Sequence, residues 1–370
     1  MTTNKPVYLI DYNCVVDNNS MPIGHTFGLA KKLFDLLLQL GHEVIYVCSP
    51  EYANKFPHES VLPILTCVTK GQTSIEQEKE IIKGNFAAIN KNIKDGVLFF
   101  THINPMIAHL MPKQNKRRKS ICICFSNIRK KKSTDNFVKA ILRKLFFAYH
   151  NTFLKKRASA VIKTNNRLQF FNKNVLFMPD YYYSENEYAR YKCEKQDNKV
   201  ACLGQNNEYK KIIPLIKKFK DSKYQLVIRG KFFQEEVYQE AVRLSEGCSN
   251  IVIENNNVSE EVYYHELASS KYCALPYDTD FYFERTTGVG IEAMFLDSIV
   301  IGPKEILQFN DIKGIEYNSI EDLDLDLLDK DNSDILDNYE SKRQNEYSES
   351  KTKQVISEAI DLAMSKVRQN

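Results

Sequence analysis

Short apolar runs alternate with longer amphipathic stretches along the whole chain. Val7–Asp11, Glu43–Cys48, Val97–Thr101, Ser120–Phe125, Ala160–Thr164 and Val175–Met178 are runs of strand length. Between them, Phe27, Leu29, Leu33, Leu36, Leu37 and Leu40 recur at helical spacing and stop at Gly41. Pro105–Met111 is helix-like, and residues 136–156 form a long amphipathic segment. The stretch 181–198 is polar and irregular and reads as a linker. The alternation then restarts. Strands are predicted at Lys199–Leu203, Tyr224–Arg229, Asn250–Glu254, Tyr272–Pro276 and Ile299–Ile301. Helices are predicted at Ile212–Phe219, Glu235–Ser245, Glu260–Ser270 and Gly288–Leu296. Residues 320–337 are acidic and carry few structural signals, and 350–367 is again helical in period.

Short strands alternating with helices imply βαβ units on parallel sheets. The expected architecture is α/β, with two doubly wound Rossmann-like domains facing one another across a cleft. Their expected bounds are 1–180, a linker at 181–198, 199–345, and a C-terminal helix at 346–370 able to cross back to the first domain. A chain of 370 residues suits two domains, each long enough for its own core. Ligands of such sheets sit outside the carboxyl ends of the strands.

Composition adds little: 43% hydrophobic and 26% charged residues are ordinary values. Nine scattered cysteines without a C-x-x-C pair point to a reducing compartment and away from a zinc or redox site. No run reaches the ~18 apolar residues of a membrane span, and no signal peptide is expected. Charge adds more. Residues 113–157 hold 15 Lys or Arg and one acid, a local +14 in a chain of net +4. Clusters at Lys116–Lys119 and Arg129–Lys132 precede a segment with Phe137, Ile141, Leu145, Phe146, Tyr149 and Phe153 beside Lys139, Arg143 and Lys144. Basic residues interleaved with aromatics suit an anionic membrane surface. Nothing resembles a nucleic-acid recognition motif.

The stretch Pro276–Pro303 is the richest in chemistry. A strand ends, a loop carries Glu284 and then Thr286-Thr287-Gly288, and a helix follows with Glu292. Free N–H groups and the helix dipole at that turn suit a diphosphate. Gly288 allows close backbone approach. Glu284 can accept from sugar hydroxyls, and Glu292, about 11–12 Å further along the helix, from ribose hydroxyls.

With its seven-residue spacing between glutamates, this stretch resembles the retaining GT-B glycosyltransferases, family 4 in particular. The phrases IEAMFLDSIVIGP and VIENNNVSEEVYYHELASSKYCALP are similar to that family's second-domain passages, and the resemblance spans Lys199 to about Pro303. It implies donor-sugar contact by Glu284, ribose contact by Glu292, and phosphate or sugar contact by amides at Thr286, Thr287 and Gly288. The family places an arginine and a lysine after the first strand of this domain. Here Lys210 or Lys211 fits the lysine, but Gln205 stands at the arginine position and brings no charge. Arg229 or Arg285 could compensate. In the first domain, Gly24 and His102 match a glycine and a strand-end histidine that face the reacting sugar, with His25 a second candidate. Asp278-x-Asp280 matches a metal-diphosphate motif of the other glycosyltransferase fold, but in this context helix amides and lysine take the metal's place.

The resemblance implies sugar transfer from a nucleoside diphosphate sugar, expected to be a UDP-sugar. The expected acceptor is a glycan, lipid-linked and part of a bacterial surface polysaccharide (capsule, lipopolysaccharide or exopolysaccharide). The assigned roles are Glu284, His102 and Lys210 in catalysis, and Glu292, Thr286, Thr287, Gly288, Gln205, Lys211, Arg229 and Gly24 in donor binding. No metal or other cofactor is expected. The expected place is cytoplasmic, on the inner face of the membrane. A nucleotide-sugar 2-epimerase of the same layout and a non-catalytic partner module are the alternatives.

Overall fold

The computed structural model describes residues 5–23, 25–126, 137–282 and 285–365. The chain divides into two compact units, residues 1–178 with 350–370, and residues 179–349.

In the first unit the strands are β1 (Val7–Ile10), β2 (Val15–Val16), β3 (Val44–Val47), β4 (Val61–Leu62), β5 (Val68–Thr69), β6 (Gly96–Phe100), β7 (Arg118–Cys124), β8 (Ala160–Lys163) and β9 (Val175–Phe177). The helices are α1 (His25–Gln39), α2 (Pro50–Ala53), α3 (Ile75–Asn92) and α4 (Phe137–Arg157). Seven strands form one parallel sheet in the order β4-β3-β1-β6-β7-β8-β9. Val7 pairs with both Val44 and Val97, so β1 lies between β3 and β6. The order reverses there, and the carboxyl ends of β1 and β6 flank the switch point where such sheets bind ligands. Strands buried on both faces read as unbroken apolar runs, which is why the sequence reveals them: all five residues of β6 are buried.

The second unit contains α5 (Glu185–Tyr188), β10 (Gln196–Leu203), α6 (Ile212–Phe219), β11 (Gln225–Arg229), α7 (Glu235–Ser245), β12 (Ile251–Glu254), α8 (Glu260–Ser269), β13 (Ser270–Ala274), α9 (Thr279–Tyr282), α10 (Gly288–Phe295), β14 (Ile299–Pro303), α11 (Lys304–Asn310), β15 (Ile315–Tyr317) and α12 (Ser333–Asn345). The parallel order β12-β11-β10-β13-β14-β15 is the dinucleotide-fold order 3-2-1-4-5-6, with its switch between β10 and β13. The last helix, α13 (Glu349–Ser365), buries Val355, Ile356 and Ile360, and its residues from Ser350 onward group with the first unit.

Three stretches differ from the sequence reading. The segment 181–198 is not an open linker, because Tyr188 and Tyr191 are buried in the core of the second unit. The acidic stretch 320–337 holds two short 3-10 turns and the start of α12, whose Ile335 and Tyr339 pack inward. Helix α3 has no counterpart in the sequence reading, since only Asn85, Phe86 and Ile89 along it are buried. Its start was nonetheless encoded as a capping box, with Ser74 and Gln77 satisfying each other's backbone amides.

The basic face is also smaller than the charge count suggests. Arg118 is buried, and its guanidinium donates to the Ile93 carbonyl at 2.6 Å, to Asn90 Oδ1 at 2.9 Å and to the Lys113 carbonyl at 3.1 Å. It ties β7 to the end of α3. The cluster Arg129–Lys132 lies outside the described residues.

Candidate functional site

The switch point of the second unit assembles several of the residues singled out above. After β10 the chain turns at Gly204, with φ of +86°. Its amide donates to the Arg229 carbonyl at 3.0 Å, and the Asn206 amide to the Lys231 carbonyl at 2.9 Å. Gly230 backs directly onto this turn: a Cβ there would lie 2.0 Å from the Gly204 carbonyl oxygen. Only glycine fits, both for space and for its φ of +148°.

Lys210 folds back under the turn. Its Nζ donates to the Leu203 carbonyl at 2.8 Å and lies 5.9 Å from the centre of the Tyr277 ring. A Cβ on Gly204 would lie 3.7 Å from that Nζ and 3.9 Å from the Val289 side chain. Lys210 Nζ and the Val289 side chain of α10 thus both approach the Gly204 turn. It is 7% exposed, and among the described residues no carboxylate pairs with it. Burial pushes its pKa below the ordinary lysine value, with Cys202 and Cys273 pulling slightly the other way.

The neighbouring helix start is ordered by polar contacts. Thr287 caps α10, its hydroxyl accepting from the Gly290 amide at 3.3 Å. The Thr287 amide donates to Asn310 Oδ1 at 3.0 Å, and the Thr287 hydroxyl reaches Tyr277 at 3.5 Å. Tyr181 covers Gly288 so closely that a Cβ there would meet its hydroxyl at 2.7 Å. Thr286 hydrogen-bonds Asp180, and burial pushes the Asp180 carboxyl up to about 7 against that bond.

Glu292 is 8% exposed and faces inward, not solvent. Tyr263 donates to Oε2 at 2.6 Å and Tyr264 to Oε1 at 2.7 Å, both from α8. The two hydroxyls, one on each oxygen, fix the orientation of the carboxylate.

The other candidates are scattered. Lys211 pairs with Asp278 at 2.8 Å. Asp278 also accepts from the Phe281 amide at 3.0 Å, capping α9. Among the described residues no three His, Cys, Asp or Glu side chains come together as metal ligands. Arg229 is committed to Glu254 at 2.9 Å and to Glu266 at 3.2 Å, and Glu266 also binds Lys199 at 2.6 Å. With two carboxylates on it, Arg229 brings no spare charge. Arg285 is exposed, stacked on Phe281 at 4.0 Å, three residues before α10. Gln205 is exposed on the Gly204 turn. Glu284, Gly24 and the His25 side chain lie outside the described residues.

In the first unit, His102 follows β6 at the switch point. Its ring stacks on Tyr12 at 4.6 Å, and Nδ1 lies 3.4 Å from the Thr101 hydroxyl and 3.8 Å from Asp11 Oδ1. The sequence reading passed over Asp11, Asp180 and the Tyr263–Tyr264 pair. The first had a signal, an acid at the end of an apolar strand run. The tyrosine pair had none, because adjacent tyrosines on a helix say nothing of a carboxylate 28 residues away.

No family model matches the chain, and no curated protein matches it by sequence. Solved structures do match in fold. HepE from Anabaena, solved with UDP and glucose, is 11% identical, with a TM-score of 0.62 over 96% of this chain and 99% of that one. The α,α-trehalose 6-phosphate synthase of Burkholderia multivorans is 10% identical, with a TM-score of 0.67 over 99% and 98%. A glycosyltransferase from Rickettsia africae is 13% identical, with a TM-score of 0.62 over 99% and 100%. The fold is GT-B, built of two Rossmann-like units.

Proposed function

We propose that the chain is a retaining glycosyltransferase that takes a sugar from a nucleoside diphosphate sugar, a UDP-sugar in the first instance. The observation that carries this is Lys210, a buried lysine without a carboxylate partner among the described residues, held at a sheet switch point under the Gly204 turn, which the Val289 side chain of α10 also approaches. An anion binds where free amides, a helix dipole and a fixed positive charge converge. As the bond from the sugar's anomeric carbon to the diphosphate oxygen breaks, its electron pair and growing charge pass to the diphosphate. The lysine and the helix terminus are pre-arranged to stabilise that charge, the role a divalent metal plays elsewhere. The acceptor hydroxyl forms the new bond on the face the diphosphate leaves, and its proton passes to the leaving diphosphate oxygen. Glu292 holds the ribose, and Glu284 and His102 address the transferred sugar. HepE being solved with UDP and glucose supports a uridine diphosphate donor.

The acceptor in this reading is a lipid-linked glycan for a bacterial surface polysaccharide, met at the inner face of the membrane. Helix α4 supports that. Phe137, Val138, Ile141, Leu142, Leu145, Phe146 and Tyr149 are all exposed, and Phe147, His150, Asn151 and Leu154 are buried on the opposite face. At helical spacing, Lys139 and Lys144 fall on the two edges of the apolar stripe. That is the arrangement of a helix lying in an anionic interface. No described helix is long and apolar enough to cross a membrane.

The test is a thermal-shift screen against UDP- and other nucleotide sugars, followed by product analysis. A donor at 100 times its Kd adds about 2.7 kcal/mol of stability. Transfer with the donor's anomeric configuration kept supports the reading. Inverted product overturns the retaining mechanism. A changed nucleotide sugar released without acceptor points to an epimerase. No shift with any nucleotide sugar overturns the reading altogether.

A further inference from the structure

Asp11 ends the central strand of the first unit and is fully buried. Neither of its oxygens is held in a well-formed hydrogen bond, although the Thr26 hydroxyl and the Asn13 amide approach it. A buried carboxylate left in that condition is costly unless it keeps a proton or finds a cation. The groups facing it are Tyr12 and Cys14 beyond β1, Tyr46 and Cys48 at β3, and Tyr52 from α2. All are neutral near pH 7, because burial raises every one of them. Among the described residues the ionisable partner within 4 Å is His102, whose Nδ1 lies 3.8 Å from Oδ1. Its ring is stacked on Tyr12, the residue next to Asp11. The two groups therefore come from the ends of adjacent strands, β1 and β6, at the point where ligands of such a sheet bind.

We propose that Asp11 is a positioning residue for His102: its buried carboxylate, 3.8 Å from Nδ1, is the counter-charge of the imidazolium, while the Thr101 hydroxyl lies at 3.4 Å from the same nitrogen. That the ring faces a sugar rests on the glycosyl-transfer reading; the pairing does not. Burial pushes the Asp11 carboxyl up to about 7, into the range where imidazole titrates, so the charge of one group depends on that of the other. When His102 carries a proton, the buried carboxylate gains its counter-charge. When Asp11 carries one, the imidazolium loses it.

The experiment is an NMR titration of the His102 ring in the wild-type protein and in Asp11→Asn, with the resonance assigned by its loss in His102→Gln. Removing the carboxylate lowers the His102 pKa by about one to three units. An unchanged His102 pKa overturns the proposal. If Asp11→Asn fails to fold, His102→Gln carries the test through the pH dependence of its melting temperature. Without the imidazole, Asp11 cannot ionise with a partner, so the variant loses melting temperature relative to wild type as pH rises from 5 to 8. Parallel curves overturn the proposal. Where transfer is measured, Asp11→Asn moves the low-pH limb of kcat/KM in step with the His102 pKa. A protein that shows the NMR shift but binds no nucleotide sugar retains the pair and loses the transferase reading.

Discussion

The hydroxyl of Tyr264 donates to Oε1 of Glu292 at 2.7 Å, from a side chain that is itself buried. A hydrogen bond to a buried ionised group contributes about 1.5–3 kcal/mol. Tyr264→Phe is therefore expected to lower unfolding free energy by about that amount in urea. On the proposed reading, the carboxylate, no longer held on that side, would also lose its aim at the donor. A donor affinity about tenfold weaker, worth about 1.4 kcal/mol, is the second expected outcome, read by calorimetry with UDP. Unchanged affinity with lowered stability would make Glu292 a purely structural group.

Lys210 separates stability from binding in the opposite sense. Burial at that position disfavours the charged form of its side chain. The folded state therefore lets go of the lysine proton before the unfolded chain does, at a pKa below 10.5. Between those two values the unfolded chain binds more protons, so this group makes stability rise with pH. Lys210→Met is expected to fold at least as stably as wild type at pH 7 and to lose that rise, as measured by urea unfolding at pH 8 and 10. Its stabilisation by UDP should fall sharply, and kcat should drop by about a hundredfold or more, on the scale of losing one preorganised oxyanion donor.

The strands that flank the two switch points were legible from the apolar runs alone, because strands buried on both faces leave no polar interruption, but their order in the sheets was not. The helix start at Thr287 was legible too, since a threonine followed by glycine before an apolar run is a capping signal. What stayed hidden was side-chain pairing across the fold. Arg229 looked available for a phosphate, yet Glu254 and Glu266, 25 and 37 positions on, take its charge. Arg118 looked like part of a basic surface, yet its guanidinium is spent on carbonyls inside. Asp11 looked like the polar end of a strand, and only the register of β1 against β6 brings it to His102.

Helix α4 should behave as its stripe dictates. Binding to vesicles containing phosphatidylglycerol is expected, weakening with salt, and absent with purely zwitterionic lipid. Each lysine near an anionic surface contributes about 1 kcal/mol. The double reversal Lys139→Glu with Lys144→Glu is therefore expected to weaken vesicle binding at least tenfold in a flotation assay. Leu142→Ser with Leu145→Ser should weaken it at all salt concentrations. Equal binding to neutral and anionic vesicles would refute the electrostatic part.

Gly230→Ala is expected to be far more disruptive than its size suggests. The added methyl would meet the Gly204 carbonyl at 2.0 Å, and the backbone there has a φ that side-chain-bearing residues rarely adopt. A loss of several kcal/mol in unfolding free energy is expected, at the large end for single substitutions. A loss below about 1 kcal/mol would show that the two turns separate easily.

The packing of Gly204 against Gly230 also bears on how a ligand is met. The turn after β10 is fastened to the chain beyond β11 by the Gly204 and Asn206 amides and by the Asn206 side chain on the Gly230 carbonyl at 3.1 Å. On the proposed reading, such a loop would not have to be gathered up when an anion arrives. The ordering cost that flexible phosphate loops incur at each encounter was met once, when the chain folded. Affinity at this turn is then governed by charge and shape alone, and little entropy is left to lose.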